Sequence, residues 1–459
     1  MEGRGAANGK LTQRNTRRTQ GRESVPTHLE RVGQRAKDKE TRFTNLMCHI
    51  QVPLLKQAYM RLRKNAAPGV DAVTWREYGE HLDARLRDLQ DRVHRGSYHP
   101  LPVRRVHIPK GDGRLRPLGI PAVEDKILQQ AVRMVVEPIY EAVFMGFSYG
   151  FRPGRSPHRA LDALAVAIRK KVNWVLDADI RAFFDNVDHE WMQRFIEHRI
   201  ADRRLVRLLM KWLKADVMEN AELHEVESGT PQGGVISPLM ANIYLHYVFD
   251  LWAHAWRKKH AHGEVYVVRY ADDVVLGFKD ERDAQAMHEA LCKRLAEFGL
   301  ELNQAKTRLI AFGRFAWDRI GRLGLEKPET FDFLGFTHIC QRDKTGFRLL
   351  RRTSRKKRCA KLAELHLELR RRRHAPLAQT QVWLSSVLRG HYNYYGVPGN
   401  ERGLKTFKAN LKHAWYRQLS RRSQRAQLSV KEMKRIEKRF PLPKPAVVHP
   451  WPEQRFKGP

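Results

Sequence analysis

The sequence predicts a mixed α/β core followed by an all-helical, strongly basic C-terminal unit. Strand-like and helix-like patterns alternate from about residue 155 to 345, as expected for a sheet packed on helices. A β-forming run from Val265 to Tyr270 breaks at Ala271-Asp272-Asp273 and resumes as Val274-Val275-Leu276, predicting an apolar hairpin with two carboxylates at its tip. After about residue 350, apolar residues recur at helical spacing between runs of Arg and Lys.

Residues 1 to about 40 are rich in Gly, Arg, Thr and Gln, with almost no apolar periodicity, and are expected to be disordered until bound. Leu54, Leu55, Tyr59 and Leu62 predict a helix ending at Asn65-Ala66-Ala67-Pro68-Gly69, and a second helix runs through Trp75 to Val93. Strand-like Val103 to Ile108 leads into Lys110-Gly111-Asp112-Gly113-Arg114, a basic hairpin turn. Asn173 to Ile180 reads as a strand, with Trp174, Leu176, Ala178 and Ile180 on one face and Val175, Asp177 and Asp179 on the other. A helical pattern spans His189 to Lys214, with Asp185 and Asp188 placed to cap it. Ser237-Pro238 opens another helix, through Leu239, Ile243, Tyr247 and Leu251. Leu362, Leu365 and Leu369 form an apolar stripe, and a later basic helix carries Trp415 and Tyr416. The Pro-rich stretch 441–459 is expected to lack regular structure, and no repeat of fixed period is present.

The chain has 86 Lys+Arg against 50 Asp+Glu, a net charge of +36. That excess resists compaction unless a polyanion is bound, so nucleic acid is the expected partner. Residues 351–459 hold 28 basic and 6 acidic side chains, so the last quarter is expected to carry much of the electrostatic grip. Cys48, Cys292, Cys340 and Cys359 are scattered and form no Cys-x-x-Cys pair, so neither a disulfide framework nor a zinc module follows, and a reducing compartment is the natural inference. No apolar stretch approaches the about 18 residues of a membrane span, and the N-terminal residues lack the apolar core of a secretory signal.

Adjacent carboxylates between buried strands repel each other and are penalised by desolvation. A divalent cation removes both costs. With the strand bearing Asp179, the hairpin tip supplies three carboxylates, the acidic set that two-metal nucleotidyl transfer needs on neighbouring strands. Asp177 shares the strand face of Asp179, and periodicity does not separate the two.

The block from Asp179-Ile180-Arg181-Ala182-Phe183-Phe184 to Asp188-His189, together with Tyr270-Ala271-Asp272-Asp273, resembles the catalytic blocks of reverse transcriptases in their group II intron-encoded form. Pro68-Gly69-Val70-Asp71, Arg116 to Pro121, Tyr149 to Ser156, Gly229 to Gly234, Leu302 to Thr307 and Phe333 to Phe336 fall in the family's order. The resemblance implies a right-hand polymerase of α/β (α+β) class. Its fingers with an N-terminal extension would span 41–165, after a disordered tail over 1–40. A palm with an antiparallel sheet would span 166–345, an all-α thumb and maturase region 346–440, and a Pro-rich tail 441–459.

The resemblance further implies Asp179, Asp272 and Asp273 as a catalytic triad holding two Mg²⁺ ions, with Mn²⁺ as a substitute and the Ile180 carbonyl as a further ligand. Lys110, Arg114 and Arg116 would hold the incoming dNTP, or else form a solvated basic turn. Phe184 would exclude a ribose 2′-hydroxyl, or be an ordinary core residue. Gln232 lies in a Gly-rich loop whose backbone can approach the template–primer, and Lys306 would lie near the triphosphate or at the surface. Arg389 to Tyr395 is similar to the maturase region, making Arg370, Arg371, Arg372, Arg373, Arg389, Tyr394 and Tyr395 candidate RNA contacts. A packed helical core is the competing reading of the tyrosines. The implied partners are group II intron RNA, an RNA template with DNA primer, dNTPs and a DNA target, without a membrane. A homodimer stays open, and the expected place is the bacterial cytoplasm, on the nucleoid when DNA is bound. The implied activity is RNA-directed DNA synthesis together with intron binding that assists splicing. A domesticated reverse transcriptase in host defence or repair and a splicing factor without polymerase activity compete with it. The chain to Pro459 carries no paired Cys-x-x-Cys endonuclease motif, so it is not expected to cut the second DNA strand.

Overall fold

The computed structural model describes residues 28–455 except 110–114, 220–221, 225–232, 323, 325, 345 and 423–427. The first helices are α1 (His28–Arg35), α2 (Val52–Arg61), α3 (Trp75–Gly79) and α4 (Leu82–Arg95). Strands β1 (Val103–Pro109) and β2 (Leu115–Ile120) pair antiparallel and lead into α5 (Val123–Glu141). Two expectations change here. Residues 28–35 are helical, because Val32 and Ala36, one turn apart, are buried as α1 packs on α5. The pattern from Trp75 to Val93 is two helices, the first held by a capping box between Thr74 and Glu77.

Next come α6 (Pro157–Lys170), β3 (Trp174–Asp179), α7 (His189–Glu197) and α8 (Arg203–Leu213). The expected single helix from His189 to Lys214 breaks at Asp202. Its buried carboxylate accepts from the amides of Arg204 and Leu205 to start α8, and from those of Leu46 and Met47 to tie down the N-terminal layer. Asp188 caps α7 through the Trp191 amide, as expected. Strands β4 (Val217–Glu219) and β5 (Glu222–His224) precede α9 (Ser237–Leu245). Ser237 lies inside α9 rather than capping it, and Ile236 precedes the helix. A π-helical turn, His246–Asp250, joins α9 to α10 (Leu251–Lys259).

The hairpin is β6 (Val265–Tyr270) and β7 (Asp273–Phe278), followed by α11 (Glu281–Ala296), β8 (Arg308–Ala311) and α12 (Ala316–Arg322). A second hairpin region, β9 (Phe331–Phe333), β10 (Phe336–Asp343) and β11 (Gly346–Thr353), leads to α13 (Arg355–Arg371), α14 (Leu377–Tyr395), α15 (Glu401–Leu419), α16 (Val430–Arg439) and α17 (Pro452–Arg455).

The described residues form three sheets, ordered β2-β1-β4-β5, β6-β7-β3-β8 and β11-β10-β9. The central sheet, β6-β7-β3-β8, is antiparallel throughout. Strand β4 pairs in parallel with β1, so residues from the 166–345 interval complete the sheet that begins in 41–165. The faces of β3 sort as their alternation requires. Leu176 and Ala178 enter the core shared with α5, α9 and α11, while Val175 enters the core shared with α6 and the β9–β11 sheet. A third core holds Leu365, Leu369, Leu388, Phe407, Leu411 and Trp415 between α13, α14 and α15.

The Pro-rich stretch has no helix or strand from 441 to 451, as expected, and the short α17 follows it, yet the segment is anchored. Val448 and His449 amides donate to the Gly396 carbonyl, the His449 ring stacks on His158 of α6 at 3.7 Å, and α17 packs on α6. Residues 441–455 thus return from the helical unit to the central layer. Among the described residues, no helix is long and apolar enough to cross a membrane.

Candidate active site

Antiparallel register places Asp179 of β3 directly opposite Asp273 of β7. Directly opposed residues share a sheet face, with Cβ atoms about 4.5–5.5 Å apart. Asp177, two residues earlier, lies on the same face and pairs with Val275 and Arg308. All three carboxylates line a cleft of about 810 Å³ between the central sheet and the start of α13, together with Lys306, Arg308, Asp332, Arg355 and Lys356.

Two of these carboxylates are held above their ordinary range. Asp273 keeps solvent access at the start of β7, yet the protein mass around it, with Asp272 and Asp179 close by, pushes its carboxyl up to about 6. Burial pushes Asp177 up to about 7. Arg308 opposes that shift, and Asp273, Asp179 and Asp332 add to it. Lys306 Nζ lies 2.8 Å from Asp179 Oδ2, and Asn303 Nδ2 donates to the same oxygen at 3.1 Å.

The backbone around these carboxylates is unusual. Ala271, at φ +57°, and Ala182, at φ +44°, occupy the left-handed region that residues with a Cβ disfavour, by about 1–3 kcal/mol. Ile180 is bridged to Leu302 through bonds made by its neighbours, Asn303 N to the Asp179 carbonyl and Arg181 N to the Glu301 carbonyl. The Ile180 carbonyl takes no part in them. Opposed carboxylate oxygens with an adjacent carbonyl make a hard oxygen donor set that fits a divalent cation. Among the described residues, no three His, Cys, Asp or Glu side chains group closely enough to hold an ion by themselves. A cation whose remaining ligands are substrate phosphates and water asks for no more than one or two carboxylates.

The other expected residues divide clearly. Phe184 is half-buried, edge-on to the fully packed Phe183 at 5.2 Å, so it is neither a plain core residue nor free of the core. Asp272 lies at the tip, outside the lining of the cleft. Lys110, Arg114 and Gln232 lie outside the described residues, as does the Arg116 side chain. Gly233, next to Gln232, sits at φ +121°, and a Cβ there would come within 2.4 Å of the Gly119 carbonyl oxygen of β2.

In the C-terminal unit, Arg370, Arg371 and Arg389 are exposed. Arg372 instead pairs with Glu368 and stacks on Trp383, and Arg373 donates to Gln418, so both hold helices together. Tyr394 and Tyr395 are half-buried against Phe336, with Tyr394 Oη donating to the Leu334 carbonyl at 2.9 Å. Their rings pack α14 against the β9–β10 turn, the arrangement that the packed-core reading describes.

The sequence reading missed Arg269, Asp250, Asn242 and Gly150. Arg269 is fully buried beneath the hairpin tip, ion-paired with Asp250 at 2.6 Å. The available signal was an Arg between the apolar run Val265-Tyr266-Val267-Val268 and Tyr270, since a buried guanidinium must have a partner.

Residues 108–338 match the family model described as reverse transcriptase (RNA-dependent DNA polymerase). The chain is 36% identical over 311 residues to protein YkfC of Escherichia coli, covering 60% of this chain and 81% of that protein. It is 38% identical over 221 residues to the group II intron-encoded protein LtrA of Lactococcus lactis, covering 48% of this chain and 37% of that one. A 94-residue stretch is 29% identical to nuclear intron maturase 1 of Arabidopsis thaliana, covering 20% of this chain and 13% of the relative.

Proposed function

The chain belongs to the reverse transcriptase family of RNA-dependent DNA polymerases, in its group II intron-encoded branch, and from that premise we propose that the Asp179–Asp273 cleft joins deoxynucleotides to a DNA primer on an RNA template. The observation that carries this reading is the register that sets Asp179 against Asp273 in an open cleft lined by Lys306, Arg308 and Lys356. In this reading the N-terminal helices and outer sheet act as fingers, the central sheet as palm, and α13–α16 as thumb and maturase region.

Asp179, Asp272, Asp273 and the Ile180 carbonyl would hold two divalent cations, Mg²⁺ or Mn²⁺. When bound, these lower the pKa of the primer 3′-hydroxyl and neutralise the leaving pyrophosphate. The chain's own residues position the reactants. Lys306, already on Asp179, supplies a cation beside the triphosphate. Phe184 presents a partly exposed ring against a 2′-hydroxyl. Arg370, Arg371 and Arg389 offer phosphate contacts to intron RNA, consistent with a role in splicing and mobility.

Purified protein given an RNA template, DNA primer, dNTPs and Mg²⁺ should extend the primer. Asp179→Asn should lose on the order of 10³-fold or more of that rate while still binding primer–template. Wild-type protein that binds template and never extends it would contradict the reading.

A further inference from the structure

We propose that Arg269 is a positioning residue that clamps the tip of the catalytic hairpin from beneath, setting turnover rather than substrate affinity. The proposal rests on reading the Asp179–Asp273 cleft as the polymerising site.

A guanidinium in the middle of a buried strand is costly unless its donors are all used. Those of Arg269 are. Nε donates to Asp250 Oδ1 at 2.7 Å, and one terminal nitrogen donates to Asp250 Oδ2 at 2.6 Å and to Ser148 Oγ at 2.8 Å. The other terminal nitrogen donates to Asn242 Oδ1 and to the Ala271 carbonyl, each at 3.0 Å. Because Asp250 balances the charge, what Arg269 exerts on the tip is geometric.

The bond to Ala271 is the one that matters. Ala271 is the strained residue at φ +57°, and its carbonyl belongs to the peptide that leads directly into Asp272. Holding that oxygen fixes the plane of the peptide, and so the direction in which Asp272 and Asp273 leave the turn. Their mutual repulsion, with Asp179 opposite, pushes the tip apart.

A second wall closes on the same turn. Asn242 Nδ2 donates to the Gly150 carbonyl at 2.8 Å, and a Cβ on Gly150 would lie 2.3 Å from the Ala271 amide nitrogen. Asp250 is delivered by the π-helical turn His246–Asp250, a distortion found frequently at functional sites. The clamp thus draws on segments far apart in the chain, and all of them converge on Ala271 or its neighbours.

Arg269→Lys keeps a cation beside Asp250 but cannot span Asp250, Asn242 and the Ala271 carbonyl together. A displacement of about 1 Å at a catalytic group costs on the order of 10²-fold in rate. The kcat for primer extension should therefore fall by about that factor, with the KM for dNTP and the Kd for primer–template within about threefold of wild type. In the metal-free protein, amide exchange should quicken at residues 270–274 while β3 stays protected. Unchanged kcat in folded Arg269→Lys would overturn the proposal, as would faster exchange across the whole central sheet with KM rising in step. If Arg269→Lys does not fold, Gly150→Ala decides: a loss confined to kcat supports the clamp, and normal kcat overturns it. Wild-type protein that never extends a primer would instead sink the polymerase reading on which the clamp depends.

Discussion

The Asp179–Asp273 cleft and the junction around Asp162 lie on the same layer of the molecule and balance charge in opposite ways. In the cleft, carboxylates crowd one another beside solvent, and Asp177 and Asp273 are pushed above their ordinary range. At the junction, Asp162 of α6 is buried between Arg351 of β11 and Arg455 of α17, each at 2.5 Å. Arg351 donates a hydrogen bond to Asp162, whereas Arg455 Nε approaches as an ion pair without hydrogen-bond alignment. Charges crowded beside solvent can recruit cations and phosphates. Opposite charges paired in the interior instead fix segments of chain to one another.

The sharpest way to break that comparison is to neutralise carboxylates one at a time in the cleft. Asp179→Asn should cost on the order of 10³-fold in single-turnover extension, and Asp177→Asn less than about tenfold. The reverse ranking would move the cation-binding role to Asp177, which periodicity never excluded.

At the junction the expected effect is on stability. Asp162→Ala leaves two guanidinium groups without their buried partner and should destabilise the protein by about 3 kcal/mol in urea unfolding. Extension by the fraction that remains folded should continue. Loss of catalysis without loss of stability would mean that the junction belongs to the site.

A third, slightly smaller effect is a pH dependence of the C-terminal unit. His391 is buried face-to-face on Phe407 at 3.6 Å, its Nε2 finds no hydrogen-bond partner, and burial lowers its pKa to about 4. A histidine whose folded pKa lies below its unfolded value of about 6.5 stabilises fully above pH 6.5 and loses that contribution as pH falls toward 4. The loss should amount to about 2–3 kcal/mol, and thermal melting of His391→Leu should show a shallower fall across that window. An identical pH profile would assign the acid sensitivity to another group.

The smallest effects separate packing from RNA contact. Tyr394→Phe removes one bond to the Leu334 carbonyl and should cost about 1 kcal/mol of stability with unchanged RNA affinity. Neutralising Arg370, Arg371 and Arg389 should leave stability nearly intact and flatten the slope of log affinity against log salt by about 0.7–0.9 per lost phosphate contact. A weakened Tyr394→Phe complex would restore the tyrosines to the RNA surface.

Much of the central layer was legible because strand alternation is strict: one face of β3 had to hold Leu176 and Ala178, the other Val175, Asp177 and Asp179. The hairpin and its carboxylates followed from the break at Ala271. What sequence could not show were contacts between distant segments. Nothing local announces that β4 joins β1, that Asp202 holds Leu46 and Met47, or that Asp250 lies under Arg269. The tyrosines were ambiguous because an aromatic next to basic residues serves stacking on a base or on Phe336 equally well.

The most direct measurement pairs stability with catalysis in Asp273→Asn. The account predicts that metal-free Asp273→Asn unfolds in urea at pH 8 at a midpoint equal to or higher than wild type, because a repelled carboxylate is gone, while primer extension falls on the order of 10³-fold. A protein that is less stable by more than about 1 kcal/mol and extends primers at close to the wild-type rate would contradict it.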